Sequence, residues 1–131
     1  MKVKLARFVL VGAALAAASV SRAHHSFAMF DMGKEVTLSG TVKDFQWTNP
    51  HSWVQVIVPR KDGGVDEWGI ETLSPYLLKK SGWTRHSIQP GDKVTLVIHP
   101  LKDSKLGGSL ESVTFADGHQ LVLKPPPPPA S

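Results

Sequence analysis

The chain has 131 residues, of which 41% are apolar and 20% are charged, and it carries a formal net charge of +4 and no cysteine. This length and composition fit one small globular domain and exclude a collagen, a coiled coil and a disordered tail. The lack of cysteine excludes disulfide frameworks, thiolate zinc sites and cysteine nucleophiles, so any metal ion would need His, Met or carboxylate ligands.

The first 23 residues have the pattern of a secretory signal peptide. A basic start at residues 1–7 precedes an apolar stretch from Phe8 to Val20, and Ser21 and Ala23 place small residues before a cleavage site. The apolar stretch is shorter than the roughly 20 residues that a membrane-spanning helix needs. We therefore expect cleavage after Ala23 and a soluble periplasmic product with no stable membrane insertion.

Removal of this segment changes the charge of the chain. Four basic residues leave with it, so the 15 Lys and Arg fall to 11 and balance the 11 Asp and Glu. A neutral chain lacks the basic groove that nucleic-acid binding uses, and we expect no nucleic-acid partner.

Residues 24–124 form the predicted domain, and residues 125–131 form a proline-rich tail. Pro125 to Pro129 is an uninterrupted proline run, which is typical of an extended polyproline segment. The domain is large enough for one hydrophobic core, to which most of its strands must contribute.

Alternation of apolar and polar residues predicts the strands. The first covers Glu35–Lys43 and continues through Phe45 and Trp47 on the opposite parity, which indicates a bulge near Gly40 or Lys43 and Asp44. The next two form a hairpin across a Gly-rich turn, and the last two flank Asp117-Gly118, a strong hairpin signal. These later strands are Trp53–Val58, Val65–Thr72, Lys93–His99, Leu110–Phe115 and His119–Leu123.

One short helix is predicted between the third and fourth strands. Ser74 and Pro75 are suited to the N-cap and the first helical position of a helix over Tyr76–Lys80, and Gly82 is placed to end it. The resulting order predicts an all-β fold with one short helix. It matches a small, five- to six-stranded antiparallel Greek-key barrel of the oligonucleotide/oligosaccharide-binding type. The alternative is an open antiparallel sheet or a small sandwich with the same strands.

Several motifs together resemble a family of small exported bacterial proteins of unassigned function. These motifs are HHSFAMFD (His24–Asp31), WTNPHSW (Trp47–Trp53), GWT (Gly82–Thr84), PGDKV (Pro90–Val94) and HPLKD (His99–Asp103). The resemblance covers nearly the whole mature chain and implies export and a compact β-barrel, without an activity. A weaker, architectural likeness is to the small periplasmic copper/silver chaperone of efflux systems. That barrel carries its methionines on strands, whereas Met29 and Met32 here precede the first strand.

The loop between the first two strands is a candidate ligand site. If the following hairpin centres on Asp62, facing residues have numbers that sum to 124, which places Trp53 opposite Glu71 and His51 opposite Leu73. The apolar side chains of the hairpin then share the core face, and these polar and aromatic side chains share the outer face. The predicted ligand-binding residues are Trp47, Asn49, His51, Trp53 and Glu71. The alternative is an Asn-Pro turn in which His51 bonds its own loop and Trp53 packs under the N-terminal segment.

The other candidate is a copper site near the mature N-terminus. Cleavage after Ala23 would place a free α-amine on His24 beside His25, a chelate that suits Cu(II), and His51 could add a third imidazole. Met29 and Met32 would add soft donors that favour Cu(I). The alternative is a flexible N-terminus with solvated histidines and with methionines packed on the barrel.

Catalysis is not expected. The sequence has no G-x-S-x-G elbow and no phosphate-binding loop, and it shows no pair of acids on one face. The first functional hypothesis is a periplasmic binding module that requires no cofactor and recognises a small ligand or an envelope protein. The second is copper binding or delivery. His99, at the end of the fourth strand, has outward parity and could approach either candidate site, but it is expected to face water.

Overall fold

The computed structural model describes residues 27–123. The predicted signal peptide, His24, His25 and the proline-rich tail lie outside the described residues. The elements in chain order are β1 (Val36–Gln46), β2 (Trp53–Pro59), β3 (Val65–Glu71), α1 (Pro75–Lys80), β4 (Lys93–Pro100), β5 (Gly107–Phe115) and β6 (Gln120–Val122).

The strands close into a small barrel. Antiparallel pairing gives the order β3-β2-β1-β4-β5, and a parallel pairing of β3 with β5 closes the circle. The sixth strand, β6, adds to β5 next to this junction, at Ser112–Thr114. The predicted all-β barrel with one short helix is confirmed, because closure through β3 and β5 excludes an open sheet.

The pairing registers follow the sequence pattern in the first half of the barrel. Trp53 pairs with Glu71 and Val54 pairs with Ile70, as predicted for a hairpin centred on Asp62. The register of β1 against β2 shifts between Val42 and Asp44, which confirms the predicted bulge and explains the change of parity. This bend lets β1 contribute to both the β2 and the β4 side of the barrel.

A second register shift lies between β4 and β5 and was not predicted. Val97 pairs with Ser112, but the next residue, Ile98, pairs with Leu110, so Glu111 is an additional residue on β5. A bulge of this kind redirects a side chain locally.

The core fills the barrel and includes the helix region. Alternate positions of the strands point inward, and burial of each large aliphatic side chain stabilises the fold by about 1.5–3 kcal/mol. The buried cluster comprises Leu38, Val42, Val54, Val56, Ile70, Leu78, Trp83, Ile88, Val94, Leu96, Ile98, Leu110, Val113 and Leu123.

Helix α1 forms as predicted. The Ser74 hydroxyl accepts a hydrogen bond from the Leu77 N–H at 3.3 Å, and Pro75 occupies the first turn. Gly82 has a φ of +84°, the left-handed conformation expected after the last turn, and the chain then carries Trp83 into the core. No helix within residues 27–123 has the length and apolar character needed to cross a membrane.

Residues 27–35 form an N-terminal arm that lies against the loop after β4. Phe30 is buried and bridges to Leu101. The Asp31 N–H donates to the Pro100 carbonyl at 2.8 Å, and the Lys102 N–H donates to the Met29 carbonyl at 2.9 Å. The arm is therefore attached to the barrel by backbone pairing and by one apolar anchor.

Gly40 lies in β1 at a close approach to β2. A Cβ atom here would lie 2.3 Å from the Ile57 carbonyl oxygen and 2.9 Å from Val56 Cγ1. We expect Gly40→Ala to lower the free energy of unfolding by about 2 kcal/mol, because backbone must shift. Gly33→Ala is the matched control, since its nearest atom, Asp31 Oδ1, would be 3.7 Å away. Urea unfolding measures both variants, and equal stability of the two would contradict this account.

Candidate functional site

The outer face of the β2–β3 hairpin brings His51, Trp53 and Glu71 together, as the sequence predicts. Glu71 ends β3 and lies directly across from Trp53. The Nδ1 atom of His51 contacts the Glu71 carboxylate, and the side chains are 34% and 12% exposed, respectively. The carboxylate is thus mostly withdrawn from water although it lies on the outside of the barrel.

The loop before β2 holds His51 in place through its backbone. The Thr48 hydroxyl donates to the His51 carbonyl at 2.9 Å. Ser52 is fully buried and its N–H donates to the Leu73 carbonyl at 2.9 Å, while the Thr72 hydroxyl donates to the Ser52 carbonyl at 2.9 Å. The loop therefore bonds the His51 backbone, and the imidazole is left for Glu71. The alternative in which His51 bonds its own loop holds for its backbone carbonyl, whereas its ring contacts Glu71.

The remaining predicted loop residues have different surroundings. Trp53 is half-buried on the outer side of β2. Trp47 packs edge-to-face on Phe45, with ring centroids 5.7 Å apart, and also contacts the core, so its ring supports the loop. Asn49 is exposed and precedes Pro50 through a cis peptide bond.

Burial and the charge of His51 shift the pKa of the Glu71 carboxyl in opposite directions. Withdrawal from water raises the pKa of the Glu71 carboxyl above its usual range, and the charge of His51 opposes this rise. With Nδ1 engaged by the carboxylate, Nε2 is the ring nitrogen of His51 that remains for another group. The pair can therefore offer a ligand one oriented imidazole nitrogen beside a carboxylate and a Trp ring.

The predicted copper ligands are not assembled within the described part of the chain. Met29 and Met32 lie on the N-terminal arm and are each 49% exposed, so they are not packed into the barrel. Residues 27–123 contain no group of three or more His, Asp or Glu side chains that could hold a metal ion. His24 and His25 precede the described residues, and His51 is paired with Glu71.

The expectation that His99 faces water is wrong. Its side chain is only 16% exposed, its Nδ1 lies 2.9 Å from the Lys34 carbonyl oxygen, and its Nε2 lies 3.4 Å from Glu111 Oε2. Alternation along β4 correctly places His99 outside the core. The arm and the Glu111 bulge cover it there, and neither has a clear local signal in the sequence.

Comparison with known proteins identifies a family without an assigned activity. The model of DUF6152, described as a family of unknown function, matches residues 12–111. The chain belongs to this family. The resemblance to a family of unassigned function is thereby confirmed. Comparison with curated proteins and with solved structures gives no significant match, and the likeness to the copper/silver chaperone is not shown.

The raised pKa of Glu71 predicts a pH-dependent effect of Glu71→Gln. At pH values above the usual glutamate pKa, the unfolded chain ionises Glu71 freely, whereas the native state must ionise a partly buried carboxyl. The stability that Glu71 contributes in acid is therefore lost as the pH rises through its native pKa. The neutral Gln avoids this loss. We expect the urea midpoint of Glu71→Gln, relative to the unsubstituted chain, to rise between about pH 4 and about pH 7.

Glu67→Gln is the matched control for this measurement. Glu67 lies on the same strand, is 47% exposed and pairs with Lys43 at 2.8 Å on the surface. Its substitution should change the midpoint little and without a rise toward neutral pH. A relative midpoint of Glu71→Gln that stays constant or falls toward neutral pH would show that burial does not dominate at Glu71.

Proposed function

We propose that this chain is a periplasmic binding module that recognises a small ligand on the outer face of β2 and β3. The supporting observation is the largely buried Glu71 carboxylate, paired directly with His51 and adjacent to Trp53. Export rests on the signal-peptide pattern of residues 1–23. Binding without catalysis rests on the absence of a recognisable catalytic motif in the sequence.

The His51–Glu71 pair is not needed to close the loop. Ser52 already joins this loop to the end of β3 through its backbone N–H and carbonyl, which bond Leu73 and Thr72. A carboxylate that is withdrawn from water costs stability unless it is well paired, and such groups are concentrated at functional sites. Glu71 is therefore better explained by what it holds in place, the His51 ring, than by loop closure.

The three side chains define the chemistry of the ligand. Trp53 offers a ring for a planar or apolar part, because aromatic faces combine large contact areas with few rotamers. His51 offers Nε2 for one hydrogen bond, and Glu71 sets the orientation of that ring. The ligand that fits is a small molecule with one flat or apolar part and one polar hydrogen-bonding group.

Native mass spectrometry of the chain purified gently from the periplasm tests the proposal. We expect a retained small-molecule adduct, and we expect His51→Ala to weaken its binding by about tenfold and so lower its occupancy, since loss of an oriented hydrogen bond costs on the order of 1.4 kcal/mol. His86→Ala, at an exposed position after α1, is the control and should retain the adduct. A bound protein in place of a small molecule would support an envelope partner. Equal occupancy in His51→Ala would remove this site.

Copper binding is the second candidate, and the orientation of His51 favours it. Histidines that bind metals usually donate their second ring N–H to a carboxylate, as His51 Nδ1 can to Glu71. Met29 and Met32 on the arm are each about half exposed. The α-amine and imidazole of His24, together with His25, would complete the ligand set after cleavage.

Copper titration of two chains tests this candidate. One chain begins at His24, and the other carries one additional Met before it, which removes the α-amine from the chelate. We expect the extended chain to bind Cu(II) at least about tenfold more weakly, and Glu71→Gln to weaken binding by about tenfold through His51. Unchanged affinity on extension would exclude the N-terminal chelate. No uptake at micromolar copper would leave the small-ligand proposal alone.

A further inference from the structure

The N-terminal arm has a second attachment besides its pairing with the loop after β4. His99, the penultimate residue of β4, places Nδ1 2.9 Å from the Lys34 carbonyl oxygen. A carbonyl oxygen can only accept a hydrogen bond, so Nδ1 must carry a hydrogen. In the neutral imidazole the other nitrogen, Nε2, then has a lone pair and no hydrogen.

That lone pair faces a carboxylate. Glu111 Oε2 lies 3.4 Å from His99 Nε2 and is itself buried with no hydrogen-bond donor among residues 27–123, while the Glu111 side chain as a whole is 41% exposed. Two acceptor atoms at this separation repel each other. A proton on Nε2 turns the same contact into a charge-assisted hydrogen bond.

The fold determines this arrangement through the β5 bulge. Glu111 is the residue out of register between the pairs Val97–Ser112 and Ile98–Leu110, and this places its side chain next to His99. The bulge thus brings the carboxylate to a histidine that already bonds the arm.

The groove beside His99 is lined, among the described residues, by no Lys or Arg side chain. This groove of about 400 Å³ adjoins the pair, and besides His99 and Glu111 its lining includes Glu35 from the arm and Val122 and Leu123 from β6 and the residue after it. Apart from His99, the titratable residues in this lining are Glu35 and Glu111, and Lys34, whose carbonyl contacts His99, is not part of it. A hydrogen on His99 Nε2 would supply Glu111 Oε2 with a donor.

We propose that His99 is a proton-operated clasp that fastens the N-terminal arm to the barrel. In acid, the imidazolium bonds the Lys34 carbonyl through Nδ1 and Glu111 through Nε2, and so joins the arm, β4 and β5. At higher pH the Nε2 bond is lost and the lone pair faces the carboxylate, which weakens the attachment. The arm that this clasp controls carries Met29 and Met32 and connects the barrel to the N-terminus.

Amide hydrogen exchange of the purified chain measures the attachment of the arm directly. The reporters are the N–H groups of Asp31 and Lys102, which pair the arm with the last residue of β4 and with the loop that follows it. We expect their protection factors, corrected for intrinsic exchange, to be roughly threefold higher near pH 5.5 than near pH 8, a range in which an ordinary imidazole changes charge and an exposed carboxylate of ordinary pKa does not. The Val56 amide in the core strand β2 reports any change in global stability.

Two variants and one spectroscopic measurement assign the effect to His99. His99→Asn places an amide near the position of Nδ1 and can still donate to Lys34, but it takes up no proton, so the rise in protection should disappear. Glu111→Gln can donate to the neutral Nε2 and should keep the arm protected near pH 8. Nitrogen shifts of the His99 ring should show the Nδ1–H tautomer near pH 8 in the unsubstituted chain.

Three results would overturn the clasp. One is equal protection of Asp31 and Lys102 at both pH values in the unsubstituted chain. Another is a pH response in His99→Asn equal to that of the unsubstituted chain. The matched control is His86→Asn, at an exposed histidine outside the groove, which should leave the pH response intact. The third is an Nε2–H tautomer of His99 near pH 8. The first and third need no substitution, so a variant that fails to fold does not decide the outcome.

Discussion

Closure of the barrel depends on how closely β5 approaches its neighbours. Gly107 and Gly108 begin β5 and pair with Gly69 and Ile70 of β3. A Cβ atom on Gly107 would lie 3.1 Å from the Gly69 carbonyl oxygen, and one on Gly108 would lie 2.6 Å from the His99 carbonyl oxygen. A side chain at Gly107 would crowd β3, and one at Gly108 would push β5 away from β4. The glycines therefore permit the parallel junction that makes this sheet a barrel.

The same junction between β3 and β5 determines where the His51–Glu71 pair lies relative to the His99–Glu111 pair. Trp53 is opposite Glu71, Glu71 is opposite Ser109, and Ser109 is opposite His99, so one row crosses β2, β3, β5 and β4. The His51–Glu71 pair occupies one part of this row and His99 with Glu111 occupies the other. Both pairs lie outside the core, and each contains a histidine whose Nδ1 is engaged.

Sequence reasoning succeeded where the structure is local. The 124 sum places Trp53 opposite Glu71 because a short turn determines the register of a hairpin. The cap residues Ser74, Pro75 and Gly82 likewise predict α1 because they lie next to it in the sequence. The parallel β3–β5 pairing, the cover that the arm provides over His99 and the Glu111 bulge depend on contacts between residues far apart in the chain. No nearby residue encodes these features, and alternation alone suggested water around His99.

The alternation of inward and outward residues also separates the positions that form the core from those that form the outer face. In β2 and β3 the inward Val54, Val56 and Ile70 are fully buried, while Trp53 and Glu71 point outward from the same strands. Outward residues can change without repacking the interior. Members of a family built on this barrel can therefore differ on their outer faces while they share one core, so fold membership alone does not assign a function to any one member.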